Sequence, residues 1–121
     1  MSGGWRWAVW VLLVGFWALA LLTPQPVEIE KQVVPEEAIF SASKSLHIAA
    51  YAFLTGAGAW LPPWRGWRWL PIAIMSLHGC GTEFFQQWVP SRHGCLQDVG
   101  IDHVGIVLGV LLTLARWRRP L

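Results

Sequence analysis

The sequence predicts an all-α fold: a polytopic membrane protein of about four transmembrane helices in a bundle, with both termini cytoplasmic. Three observations predict it. Apolar stretches of spanning length recur along the chain, and 55% of its 121 residues are hydrophobic against 13% charged. The arginines also fall mostly in segments that an alternating topology puts on one side. A mean hydropathy of +0.44 leaves too little polar surface to cover a soluble domain of this size. The length suits one membrane domain, 1–121.

The elements follow in order, each near the roughly 20 residues a helix needs to cross the hydrocarbon core. The first stretch, about 5–22, has no charge after Arg6. Ala18-Leu19-Ala20 resembles a small-residue cleavage site, but the length of the apolar run favours a retained signal-anchor helix over a signal peptide. Residues 23–41, with Pro24, Pro26 and Pro35 and with Glu28, Glu30, Glu36 and Glu37, read as an irregular acidic outer loop with room for a short interfacial helix. The second span runs over about 42–61, the third over 69–88 and the fourth over 96–115. Pro62-Pro63-Trp64-Arg65-Gly66 and residues 90–94 read as short turns.

Charge sets the orientation. Arg6, Arg65, Arg68, Arg116, Arg118 and Arg119 share one side of this arrangement, while Lys31, Lys44 and Arg92 lie on the other. The positive-inside rule makes the arginine side cytoplasmic. Indoles favour membrane interfaces, so the ten tryptophans are expected at the ends of spans. Trp5, Trp7, Trp60, Trp64, Trp67, Trp69 and Trp117 cluster at the cytoplasmic boundary on this reading.

The opposite end collects the chemistry. Lys44 and His47 share a face at the start of the second span, and Tyr51 continues it inward. Glu83 and Gln86, with Gln87 as an i,i+4 alternative, stand near the outer end of the third. Asp98 and Asp102 are one turn apart at the start of the fourth, and Arg92 lies in the preceding turn. Ionisable groups at membrane depth are costly and face the bundle interior, paired or wet. Two readings stay open: a salt-bridged knot that closes the bundle, or a polar pocket for an anionic headgroup. Buried ion pairs alone are poor stabilisers.

Other residues carry less. His78, beside Gly79, Cys80 and Gly81, reads as a hydrogen-bonded interior histidine. Gly105 and Gly109 form a small-xxx-small pair suited to close helix packing. Cys80 and Cys95 read as free thiols. No histidine and cysteine pair has zinc-like spacing, so no metal or cofactor is expected. Phosphate loops, nucleophile elbows and HExxH are missing from the sequence, which leaves catalysis without a positive case. No basic patch has the context of a nucleic-acid face.

The ordered set Lys44-x-x-His47-x-x-x-Tyr51, Glu83-x-x-Gln86, Arg92, Asp98 and Asp102-x-x-Gly105-x-x-x-Gly109 resembles the VanZ-like family over about residues 43–112. Three positions depart from the family pattern: Ser43 stands where an acid usually precedes the lysine, Cys95 where serine is frequent, and Asp102 in place of asparagine. The resemblance implies a small bacterial inner-membrane protein of a family named for teicoplanin resistance. Lys44 and Arg92 are then expected to contact a phosphate or carboxylate headgroup. Glu83, Asp98 and Asp102 would hold these cations, and His47 and Gln86 would add directional hydrogen bonds. The expected partners are membrane lipids, a lipid-linked envelope precursor or a lipophilic glycopeptide. The competing expectation is an accessory subunit of a larger membrane complex.

Overall fold

A computed structural model of the chain describes residues 3–23, 29, 31–89 and 96–119. The fold is all-α. Helices α1 (Gly4–Leu21), α2 (Glu36–Gly58), α3 (Leu70–Gln86) and α4 (Leu96–Leu112) are followed by a single turn, α5 (Leu114–Trp117). The described residues contain no strand, only an isolated antiparallel bridge between Trp64 and Trp67.

Local chemistry explains the boundaries. Pro35 precedes α2, and Glu36 and Glu37 occupy its first turn, where carboxylates oppose the positive end of the helix dipole. The helix therefore starts inside the segment 23–41 that reads as loop from composition. Pro71 stands in the first turn of α3, where its missing N–H costs nothing. Between them, Arg65 at φ 50° and Gly66 at φ 83° make the two-residue centre of a left-handed turn. Trp67 N donates to Trp64 O at 2.8 Å to close it, as in a type I′ hairpin. The expected helix 96–115 is interrupted at Thr113, whose hydroxyl donates to Gly109 O at 2.7 Å. Such back-bonding competes with the helical ladder.

The four long helices alternate in direction. α1 packs on α2 and α3 and makes no contact with α4 among the described residues, while α2 and α4 form the most extensive interface. Those two run parallel, and two glycines let them do so at close range. A Cβ on Gly105 would stand 2.6 Å from Ile48 O, and one on Gly109 would stand 2.5 Å from Ala52 O. Small residues permit such backbone approach.

α1 docks through Trp7, Trp10, Val14, Trp17 and Leu21, spaced alternately three and four apart in the manner of a coiled-coil seam. Trp10 is 3% exposed and its Nε1 donates to Leu54 O at 2.8 Å. Trp17 lies edge-on to His47 and Tyr51, with ring centroids 5.8 and 6.2 Å away. Tryptophan is thus not confined to the ends of helices. On α1 it packs into the groove between α2 and α3, where its large ring buries much apolar area.

One end of the bundle is basic and aromatic. Trp7 Nε1 donates to Pro62 O at 2.9 Å, Arg6 Nη1 to Trp60 O at 3.3 Å and Arg68 Nη1 to Arg116 O at 3.0 Å. The Arg116 guanidinium sits 4.5 Å above the Trp60 ring, and Trp69 stacks on Trp117 at 5.5 Å. These arginines satisfy carbonyls left open where helices end.

Only α1, among the described residues, is both long enough and apolar enough to cross a membrane by length and composition. α3 and α4 are 17 residues each, the lower end of the spanning range. α2 is longer, at 23 residues, but Glu36, Glu37, Lys44 and His47 dilute its first turns.

Candidate polar site at the end of the bundle

The end opposite the arginines brings polar side chains of α2, α3 and α4 together. Lys44 is ion-paired with Asp98 across the α2–α4 interface. One turn deeper, His47 Nδ1 donates to Asp102 Oδ1 at 2.9 Å. Asp102 is 0% exposed, and Glu83 and Gln86 are each 3% exposed. The same register produces both pairs: Lys44 to Asp98 and His47 to Asp102 step along two parallel helices together.

The third layer is hydrogen-bonded without charge. Tyr51 is fully buried, and its hydroxyl meets His78 Nδ1 at 2.9 Å and Thr82 Oγ1 at 3.5 Å. Thr82 Oγ1 donates to His78 O at 2.8 Å. Farther out, Gln86 Nε2 donates to Leu21 O at 3.1 Å, closing the last turn of α1 against α3. Gln87 lies past the helix and is exposed.

Asp102 divides its two oxygens between helices. Oδ1 faces His47 on α2. Oδ2 faces α3, where a Cβ on Gly79 would stand 3.4 Å away. Oδ2 is buried and has no hydrogen-bond partner. Gly79 and Glu83 are one turn apart, so this oxygen looks toward the face of α3 that carries Glu83.

Seven of the eight sequence-derived site residues can thus be placed. Lys44, His47, Glu83, Asp98 and Asp102 gather at the mouth and just below it, Tyr51 lies beneath them, and Gln86 turns aside to α1. Arg92 lies outside the described residues, as do His93 and Cys95. Cys80 is a free, exposed thiol. Gly105 and Gly109 pack against α2 as described above.

Two features escape sequence reading, and the first is the pair of partners that His103 finds. His103, next to Asp102 in the chain, faces away from the site. Its Nδ1 donates to Val99 O at 2.7 Å and its Nε2 accepts from Ser76 Oγ at 2.7 Å, which pins α3 to α4. The other is a ligand-type constellation. His47, Glu83 and Asp102 are all buried and can offer one ligand atom each within 4.8 Å of one another. Pairwise spacing along the chain assigns no metal ligands, because these three residues come from three helices and form no local motif.

Beside Lys44 opens a cleft of about 640 Å³, lined among the described residues by Lys31, Glu36, Ile39, Ser43 and Lys44. It combines two ammonium groups, a hydroxyl and one carboxylate on a surface open to the exterior.

In comparisons with known proteins, no family model, no curated protein and no solved structure matches the chain.

Proposed function

We propose that the chain is a multi-pass protein of the bacterial cytoplasmic membrane, VanZ-like in type, whose outward-facing end binds the anionic headgroup of a lipid or lipid-linked envelope precursor. The membrane part of this reading is supported by an inverted distribution of polarity. Leu12 and Leu112 are 72% and 74% exposed, and Phe16, Phe53, Leu77 and Val107 are exposed too, while His47, Glu83, Gln86, Asp98 and Asp102 are buried. A soluble domain of this size does the reverse, and an apolar exterior this continuous needs an apolar solvent. Helix backbones satisfy their own polar groups, as hydrocarbon requires. The arginine-rich end then faces the cytoplasm.

The observation that carries the headgroup assignment is the cleft in which Lys31 and Lys44 share a wall with Ser43. Two cations and a hydroxyl complement a phosphate or carboxylate, with lysine acting as a point charge. Asp98 pairs with the ammonium of Lys44, which lines the cleft. The residue order resembling the VanZ-like family agrees with this placement, and a link to glycopeptide tolerance follows from the family alone. Bound lipid identifies the site directly. Native mass spectrometry of gently solubilised wild type should show an anionic lipid or lipid-linked precursor that Lys44→Ala loses while keeping its membrane insertion. Lipid retained by the variant removes the assignment.

A second reading has its own observation. Lys44–Asp98, His47–Asp102 and Gln86–Leu21 each join two helices, as expected of a knot that only locks the bundle. The chain would then serve as an accessory subunit, and stoichiometric protein partners in the same spectra, retained by Lys44→Ala, would identify it.

A further inference from the structure

We infer that His47, Glu83 and Asp102 form a binding site for one divalent first-row transition-metal ion, of the Zn²⁺ or Mn²⁺ class, inside the bundle. The site lies one turn below the Lys44–Asp98 pair and does not depend on the headgroup reading. Its three side chains come from α2, α3 and α4, are all buried, and bring one ligand atom each within 4.8 Å of one another. An ion bound at about 2.1 Å to each ligand spans at most about 4.2 Å between opposite ligands. Small side-chain adjustments therefore complete the set without moving a helix.

The closest pair already has the right spacing. His47 Nδ1 and Asp102 Oδ1 are 2.9 Å apart, close to the separation of about 3 Å between neighbouring ligands of an octahedral ion bound at that length. In the metal-free protein a proton occupies this gap. In the loaded protein the ion takes the Nδ1 lone pair and the ring proton moves to Nε2, so that the imidazole stays a neutral ligand.

An independent observation comes from Asp102 itself. Its carboxylate is 0% exposed, and Oδ2 has no hydrogen-bond partner. A buried carboxylate oxygen in that condition is costly, and a nearby cation relieves the cost. Oδ2 is also the oxygen turned toward α3 and the turn that carries Glu83. Among the described residues Trp17 Nε1, Thr55 Oγ1 and His78 Nε2 are also buried without a partner, but none of these is a carboxylate oxygen. At Asp102 a carboxylate oxygen is left over where three ligand-type side chains converge.

The donor set selects the class of ion. One imidazole with two carboxylates suits Zn²⁺, Mn²⁺ or Fe²⁺, whereas Ca²⁺ and Mg²⁺ take oxygen ligands almost exclusively. With no cysteine in the set, a thiolate-seeking ion has no advantage.

The test uses tag-free, full-length protein in detergent, stripped with chelator and titrated calorimetrically with Zn²⁺ and with Mn²⁺. The expected result is one ion per chain and a raised melting temperature. Asp102→Asn, Glu83→Gln and His47→Gln should each weaken binding more than about a hundredfold, beyond the loss typical of outer-shell changes. His103→Gln, which alters a histidine outside the set, should bind like wild type. Variants are compared only where helical circular dichroism matches wild type, and three separate substitutions guard against one failing to fold. Wild-type protein that binds neither ion overturns the inference, as does binding that survives Asp102→Asn and Glu83→Gln or disappears in His103→Gln.

Discussion

Gly105 on α4 lies against Ile48 on α2 so closely that a Cβ would meet the Ile48 carbonyl oxygen at 2.6 Å. This contact sets the distance and the register between the two helices, and the polar site inherits both. With Gly105 seated at Ile48 and Gly109 at Ala52, the turns above bring Lys44 to Asp98 and His47 to Asp102. The first prediction concerns this contact. Gly105→Ala and Gly109→Ala must each push two backbones apart, at a cost of about 1–3 kcal/mol for overpacking. Gly100→Ala and Gly81→Ala, where a Cβ meets nothing within 4 Å, should be neutral or stabilising by about 0.5–1 kcal/mol from helix propensity. Thermal unfolding in detergent separates the two groups, and equal behaviour of all four would remove the close-packing account.

The His47–Asp102 pair should be coupled in stability. Removing one partner leaves a buried polar or charged group alone, and Asp102→Ala should cost about 3 kcal/mol or more. His47→Ala with Asp102→Ala together should cost clearly less than the sum of the single variants. An additive double-mutant cycle would mean that the two side chains do not support each other.

Trp10 tests whether α1 is docked or merely adjacent. Its indole donates to Leu54 O from a buried position. Trp10→Phe keeps an aromatic ring and loses the donor, so about 1 kcal/mol of stability should disappear. Trp5→Phe, altering an exposed indole, should change little. Detergent titration of the folded state provides the comparison.

The proposed orientation makes a prediction independent of stability. In a background lacking Cys80 and Cys95, a cysteine at Lys31 should react with an impermeant maleimide in intact cells. One at Arg65 should react only after permeabilisation. The reverse pattern would invert the topology, and equal reactivity of both would contradict a membrane-spanning arrangement.

Much of the helical framework was legible because hydropathy and turn chemistry act locally. Pro62, Pro63 and Gly66 mark the turn that separates α2 from α3, and Gly105 with Gly109 reads as a packing face without knowledge of its partner. Composition was a poorer guide around Glu36 and Glu37. Polar residues there suggest a loop, whereas carboxylates after Pro35 extend the helix. The tryptophans misled in a related way. An interfacial preference describes an indole facing lipid headgroups, and Trp10 and Trp17 instead face protein.

By itself the sequence determined the existence and order of the four long helices, which end of the chain's layout is basic, and that Lys44, His47, Glu83, Asp98 and Asp102 belong near one another. Helix formation and charge asymmetry depend on neighbours within a few residues, so they are written in local order. Only the tertiary structure decided the pairing: Lys44 with Asp98, His47 with Asp102, Gln86 with Leu21, and His103 turned away to Ser76. Those choices depend on how each helix is rotated and shifted against the others. That rotation is set by contacts such as Gly105 on Ile48, between residues far apart in the chain.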